Sequence, residues 1–81
     1  MSLDILSTNL QKLRRAQGLS QDKLALAAGI SRIAYLNIEK RQSEPRAETL
    51  RALAKALGVR IPDLLVEAPV LKRVRFRSLK R

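Results

Sequence analysis

The sequence SRIAYLNIEK, residues 31–40, combines side chains that form paired hydrogen bonds with side chains that pack on methyl groups. An arginine guanidinium is a planar fork of donors, and an asparagine amide presents a donor beside an acceptor, so each can bond two neighbouring atoms of a partner. At helical spacing Tyr35 and Ile38 share one face with Ser31, and five other side chains occupy the opposite arc. That arc consists of Arg32, Ile33, Leu36, Asn37 and Lys40. The alternative is a solvated helix face with stray apolar residues, since single exposed Ile or Leu side chains are common.

Residue types that support other kinds of chemistry are absent from the chain. Its 81 residues contain no histidine and no cysteine. This excludes the commonest general base, the commonest zinc ligand and any disulfide or thiol chemistry. The carboxylates are not clustered in a pattern that suggests acid–base catalysis. We therefore expect a protein that is not an enzyme and that binds neither a cofactor nor a metal.

The charge points to a polyanionic partner. The net charge is +10, which is typical of proteins that bind nucleic acid or an anionic membrane surface. Six of the 17 Lys and Arg residues lie in residues 69–81, where there is no acid. The N-terminus lacks the apolar run of a signal peptide, and no stretch approaches membrane-spanning length. We expect a cytoplasmic protein without a membrane partner.

The hydrophobic spacing predicts an all-helical chain with an aliphatic core. Leucines recur every three or four residues over a first helix of about 3–17, which a glycine ends. Ser20 is a good N-cap for a short second helix, 21–28. Ser31 is the next N-cap candidate, for a helix that reaches about Lys40. Tyr35 is expected to pack in the core.

Two further helices and a basic tail follow. Pro45 forces a boundary, because the residue before a proline avoids helical geometry. Leucine and alanine at positions i, i+3, i+4 and i+7 predict a helix over 47–57, and Pro62 opens a short fifth helix. The tail, within 68–81, alternates apolar and arginine residues with the period of a strand. A lone strand is not stable, so it has to pair with another segment or stay disordered.

Two short helices joined by a tight glycine turn form a helix-turn-helix. A helix fits the major groove of duplex DNA, where its exposed side chains reach the base edges. Arginine pairs with guanine, asparagine pairs with adenine, and isoleucine and leucine pack on thymine methyl groups. The mixed arc of residues 32–40 is therefore better explained by a DNA groove than by water.

The segment LSQDKLALAAGISRIAYLNIEK, followed by P-x-x-x-TL-xx-LA-xx-LGV, resembles the phage-repressor-like (Cro/C1, or XRE) helix-turn-helix regulators. The resemblance covers about residues 5–66. It implies a lambda-repressor-like bundle of five helices, with 21–28 as the positioning helix and 31–40 as the recognition helix. Members of the family usually bind operators as dimers and often repress transcription. A double-stranded DNA operator and a second copy of the chain are therefore the expected partners, with Leu64, Leu65 and the tail near the dimer interface.

Carried over position by position, the resemblance implies three groups of functional residues. The residues expected to read bases are Arg32, Ile33, Leu36 and Asn37. The residues expected to contact phosphates are Ser20, Gln21, Ser31, Lys40, Arg41 and Arg46. Arg14 and Glu39 match a structural ion pair between the first helix and the end of the recognition helix. For Gln21, the alternative is a plain exposed glutamine.

A few residues depart from the family pattern. Arg41 stands where the family usually has glycine, which adopts a positive φ without strain. An arginine in that conformation costs about 1 kcal/mol, unless the loop takes another path. Arg46 and Arg60 stand where an N-cap such as serine is common, so we expect the last two helices to begin less firmly. Ile33 replaces a residue that is more often polar.

The tail allows three interpretations. We divide the chain into a helix-turn-helix domain, 1–67, and a basic tail or linker, 68–81. The tail pairs with a copy of itself in a dimer, follows phosphates as a basic arm, or is the truncated start of a longer protein. Its sequence VRFRSLKR is similar to the stretch after the helix-turn-helix in regulators fused to a zinc metallopeptidase of the HExxH type.

These observations favour a sequence-specific DNA-binding transcriptional regulator, with repression as its expected action. One alternative is the DNA-binding module of an antitoxin, whose second partner is a toxin. Another is the module of a larger regulator with a downstream peptidase domain. A third is an adaptor that has the fold but does not bind DNA, and the basic recognition arc argues against it.

Overall fold

The computed structural model describes residues 2–67, which fold into an all-helical bundle. The helices of this part of the chain are α1 (Leu3–Ala16), α2 (Gln21–Ala28), α3 (Arg32–Glu39), α4 (Ala47–Leu57) and α5 (Ile61–Leu65). The all-α prediction is confirmed, and the helix boundaries differ from the expected ones by about one residue. The strand, dimerisation arm or phosphate arm expected in 68–81 lies outside the described residues.

Two serine N-caps fix where the helices of the helix-turn-helix, α2 and α3, begin. The Ser20 hydroxyl accepts a hydrogen bond from the Lys23 backbone N–H at 3.0 Å, which fixes the first turn of α2. The Ser31 hydroxyl accepts from the Ala34 backbone N–H at 3.0 Å and does the same for α3. Between the two helices Gly29 takes a left-handed φ of 73°, a conformation in which any other residue except Asn or Asp is strained. These short-range signals thus fix where α2 ends and where α3 begins.

The last two helices begin without a side-chain cap, as their sequences predict. Neither the Arg46 nor the Arg60 side chain caps the first turn of the helix that it precedes. At the start of α5, the Asp63 carboxylate accepts instead from the Arg60 backbone N–H at 3.0 Å. At the other end, the buried Asn9 amide of α1 donates to the carbonyl oxygens of Leu64 at 2.9 Å and Val66 at 2.7 Å. This amide anchors a helix too short to be stable alone.

The core is aliphatic and lies between α1, α2 and α4, with α3 and α5 packed on its sides. Tyr35 is fully buried in it, as expected for a packing residue. Leu64 is also fully buried, because one face of the short α5 closes the core against α1. Leu64 itself therefore offers no exposed surface to a second copy of the chain, and the expectation that it lies near the dimer interface stays a prediction. Leu65, which is only partly buried, stays available.

The Glu39 carboxylate, at the last residue of α3, joins three helices. It accepts from the Arg14 Nε of α1 at 2.9 Å and from the Gln21 Nε2 of α2 at 2.9 Å. It also accepts from the hydroxyl of Tyr35, one turn back in α3. The Ser7 hydroxyl donates to the backbone carbonyl of the same glutamate. We call Arg14, Gln21, Tyr35 and Glu39 the carboxylate cluster.

Burial and hydrogen bonding act in opposite directions on this carboxylate. Burial alone would raise the pKa of the Glu39 carboxyl. The hydrogen bonds from Tyr35, Gln21 and Arg14 outweigh burial, so its pKa lies below the ordinary value. Burial and the hydrogen bond to Glu39 raise the pKa of the Tyr35 hydroxyl, which therefore stays protonated and keeps donating. The cluster is thus built for an ionised glutamate.

We expect Glu39→Gln to lower the free energy of unfolding at neutral pH by about 2–4 kcal/mol, because it leaves the Arg14 guanidinium buried without an anion. A folded-state pKa below the usual 4.5 means that the ionised carboxylate stabilises the fold above that pH. This contribution is lost as the pH falls through the folded-state pKa. Urea unfolding of wild type and Glu39→Gln should show that the difference between their free energies of unfolding shrinks as the pH falls from neutral through the pKa of Glu39. Glu48→Gln, which neutralises an exposed acid, is the matched control. A difference independent of pH would contradict the assignment.

Arg41, just after α3, has a φ of 63°, so the arginine takes the strained conformation that glycine would relax. Its ion pair with Asp4, at 3.4 Å between exposed side chains, adds little stability. We expect Arg41→Gly to stabilise the fold by about 1 kcal/mol in thermal or urea unfolding. Arg41→Ala is the control, since it removes the same charge but keeps the strained Cβ. Equal stabilities of the two variants would show that backbone strain is not the cause.

Candidate nucleic-acid interface

The exposed side of α3 is narrower than its sequence predicts. Arg32 and Lys40 are exposed, and Ile33 is 62% exposed, which is high for a large apolar side chain. Leu36 and Asn37 were expected on the open arc but are half-buried. The physical reason is that an eight-residue helix that packs on both α1 and α2 keeps only a limited part of its circumference in solvent. The first turn of α3 is therefore its most accessible part.

This first turn suits an anionic partner. The Ser31 cap leaves the N-terminal end of α3 open to solvent, and no acidic residue lies in its first turn. The positive end of the helix dipole is thus not neutralised within the helix. In helix-turn-helix proteins the N-terminal residues of the second helix reach the base edges. Arg32 and Ile33 occupy that place.

Arg32 forms an ion pair with an acidic residue of α2. Its Nε lies 2.6 Å from the Asp22 Oδ1 of α2, and both side chains are mostly exposed, at 60% and 68%. Asp22 lies in the first turn of α2, where the helix dipole favours an anion. This acid lies ten positions before Arg32 in the chain, and only the angle of the helix-turn-helix brings the two side chains together. No local sequence signal indicates this pair.

The residues expected to contact phosphates fall into two groups. The first group is exposed to solvent and consists of Ser20, Ser31, Lys40, Arg41 and Arg46. Arg46 lines a groove of about 320 Å³ together with Ala34 and Ile38, which places it beside the recognition helix. Gln21 is half-buried, and its amide nitrogen donates to Glu39 at 2.9 Å. This bond uses one of the two amide donors and orients the side chain at the start of α2.

The expected structural ion pair is present: the Arg14 Nε lies 2.9 Å from the Glu39 Oε2, and both side chains are almost fully buried. Sequence reasoning missed that Gln21 and Tyr35 donate to the same carboxylate. Among residues 2–67, no three His, Cys, Asp or Glu side chains form a group that could bind a metal ion. Over the same residues, none of the helices has the length and apolar character that a membrane span requires.

Comparison with known proteins places the site in a family. The helix-turn-helix family model matches residues 10–64. The control protein C.SmaI of Serratia marcescens is 36% identical over 62 residues, which are 76% of this chain and 74% of that protein. The phage CTXphi transcriptional repressor RstR of Vibrio cholerae is 34% identical over 62 residues, which are 76% of this chain and 56% of that protein.

Solved structures agree with the sequence matches. The restriction-modification controller protein C.AhdI of Aeromonas hydrophila superposes with a TM-score of 0.74 at 32% identity, over 76% of this chain and 94% of that one. The DNA-binding domain of the P22 c2 repressor superposes with a TM-score of 0.73 at 29% identity, over 80% of this chain and 86% of that one. The family match, the bundle and the capped recognition helix coincide, and the chain belongs to the helix-turn-helix family, in its phage-repressor-like (Cro/C1, XRE) form.

Proposed function

We propose that the protein is a sequence-specific, double-stranded DNA-binding transcriptional regulator that inserts α3 into the major groove of its operator and represses transcription. The observation that carries the proposal is the open first turn of α3, where Arg32 and the exposed Ile33 project from a serine-capped helix end. Repression is favoured because RstR is named a transcriptional repressor and a phage phi105 relative an immunity repressor. The DNA-binding unit is the domain 1–67.

Base recognition falls to the first two turns of α3. The Arg32 guanidinium pairs with guanine, and the Asn37 amide pairs with adenine. Ile33 packs on a thymine methyl group, and Leu36 adds contact from the edge of the same surface. Asn37 is half-buried, so its reach is limited to a base close to the helix axis. The specificity is therefore concentrated in few base pairs of each half-site.

Affinity comes chiefly from the DNA backbone. Lys40, Arg41 and Arg46 are exposed cations around α3, and each phosphate that they neutralise releases counterions. The Ser20 and Ser31 hydroxyls lie at the N-terminal ends of α2 and α3, where helix ends bind phosphate oxygens. Gln21 presents its remaining amide donor from the same end of α2. Such contacts set the position of the protein on the duplex and carry no sequence information.

The protein is proposed to bind as a homodimer through the α5 end of the bundle. Val66, just after α5, is 45% exposed, and Leu65 is partly buried. Apolar side chains at one end of a small domain offer a surface for a second copy. The two recognition helices then meet half-sites about 10 bp apart, centre to centre. An operator with inverted symmetry follows from the two-fold axis of such a dimer.

The first test is selection from a random duplex library at physiological salt, with wild-type protein and the Arg32→Ala/Asn37→Ala variant. We expect the wild type to enrich an inverted repeat that the variant does not enrich. Each single substitution should cost about 1–3 kcal/mol on the selected site, because a bidentate base contact is lost. Lys55→Ala is the control, since it removes an exposed cation at the end of α4 opposite Arg46.

Helicity of the variants, measured by circular dichroism, should stay at the wild-type value. Unfolding would mean that Arg32 or Asn37 supports the fold rather than the interface. Enrichment of the same repeat by the double variant would remove both residues from base recognition. A wild type that enriches no sequence would leave a basic module without specificity of its own.

Phosphate contacts are distinguished from base contacts by their similar effect on specific and random DNA, and contacts made by cations also by their salt dependence. Arg46→Ala should weaken specific and random DNA to a similar extent and lower the slope of log affinity against log salt by about 1. Gln21→Ala should also weaken both kinds of DNA evenly but leave the slope unchanged, because the amide is neutral. Binding titrations at several salt concentrations measure both effects, with Lys55→Ala again as the control. A changed base preference in either variant would contradict the assignment to phosphates.

A further inference from the structure

The ion pair between Arg32 and Asp22 is not explained by the stability of the fold. The Arg32 Nε and the Asp22 Oδ1 lie 2.6 Å apart, yet the side chains are 60% and 68% exposed. Ion pairs in that much solvent contribute little to folding. The pair nevertheless joins the first residue of α3 to the second residue of α2, at the place where base contacts begin. The pair therefore acts on the orientation of the Arg32 guanidinium.

The contact leaves one edge of the guanidinium open. A guanidinium can bond guanine through its two terminal nitrogens, or through Nε and one terminal nitrogen. The Asp22 carboxylate occupies the Nε edge of Arg32. The edge with both terminal nitrogens remains for the O6 and N7 atoms of guanine. The pair thus selects one of the two ways in which an arginine can meet the base.

The backbone of Asp22 is held by α2, independently of Arg32. Ser20 caps α2, and Asp22 lies in the first turn, where the helix dipole stabilises its charge. When the groove displaces water, the attraction between carboxylate and guanidinium becomes stronger, because the local dielectric constant falls. The same carboxylate repels the phosphates of any sequence, and only a site that gives Arg32 a guanine offsets that repulsion.

We propose that Asp22 is a positioning residue that holds the Arg32 guanidinium end-on toward a single guanine and thereby sets the specificity at that base pair. The inference rests on the proposed role of Arg32 in base reading. Asp22 contacts no base in this proposal. It acts through the side chain that does.

The test uses the full 81-residue chain and the operator selected by the wild type. Duplexes with each of the other base pairs at every half-site position are compared by competition binding at one salt concentration. The measured quantity is the preference, which is the ratio of affinities for the best and the next-best base pair at a position. The proteins compared are wild type, Arg32→Ala, Asp22→Asn, Asp22→Ala and Glu67→Gln. Glu67 is an exposed acid beside α1, so its variant matches the change in charge away from α2.

Arg32→Ala should lower the preference at one guanine by roughly 5- to 150-fold. Asp22→Asn should lower it at the same base pair about 5- to 10-fold, and Asp22→Ala at least as much, with other positions unchanged. Affinity for random DNA should rise slightly in both Asp22 variants, since an acid near phosphates is removed. Glu67→Gln should leave every preference at the wild-type value. A uniform electrostatic effect cannot alter the preference at one base pair alone.

Two results would overturn the inference and leave the proposed function intact. One is an unchanged preference in Asp22→Ala at the base pair where Arg32→Ala has its effect. The other is an equal loss of preference at all positions, which would indicate a general structural role for Asp22. If Arg32→Ala lowers the preference nowhere, Arg32 does not read a base, and the inference fails together with that part of the proposed function.

Discussion

The buried carboxylate of Glu39 is the constraint on which the recognition surface depends. An eight-residue helix has little stability of its own, so the position of α3 must come from tertiary contacts. Glu39 supplies them at the last residue of α3, where its carboxylate accepts hydrogen bonds from α1, from α2 and from Tyr35. Ser31 fixes the other end. Both ends of the recognition helix are therefore held before any DNA is bound.

This arrangement serves orientation more than net stability. The desolvation of a buried guanidinium and carboxylate offsets much of their attraction, and the hydrogen bonds from neutral donors complete the coordination of the charge. The same carboxylate orients Gln21, so the side chain expected to contact a phosphate has a fixed relation to the helix expected to read bases. Preorganisation of this kind lowers the entropy lost on binding. A small contact surface can then still bind DNA with high affinity.

Short-range signals account for what the sequence predicts well. Ser20, Gly29 and Ser31 each act within about one turn of a helix, so the boundaries of α2 and α3 follow from the sequence itself. Arg14 and Glu39 lie 25 positions apart in the chain, too far for a local pattern to pair them. Their ion pair was predicted from the family resemblance instead. The contact between Asp22 and Arg32, the half-burial of Asn37 and the burial of Leu64 were beyond sequence reasoning. Each depends on how helices cross, which local periodicity does not encode.

Arg41 shows that the end of the recognition helix is not optimised for stability alone. Its positive φ is a strained choice for a residue with a side chain. The position lies just past the negative end of the α3 dipole, where a cation is favoured, and Lys40 beside it adds a second positive charge. A glycine would relax the backbone but would remove a charge from the edge of the surface that is proposed to face DNA. The positive φ lets the Arg41 and Gln42 backbone N–H groups donate to the carbonyl oxygens of Ile38 at 3.1 Å and Asn37 at 2.9 Å, which closes the end of α3. Glycine would allow the same bonds without strain, so an arginine at this position is consistent with the phosphate contact proposed for it.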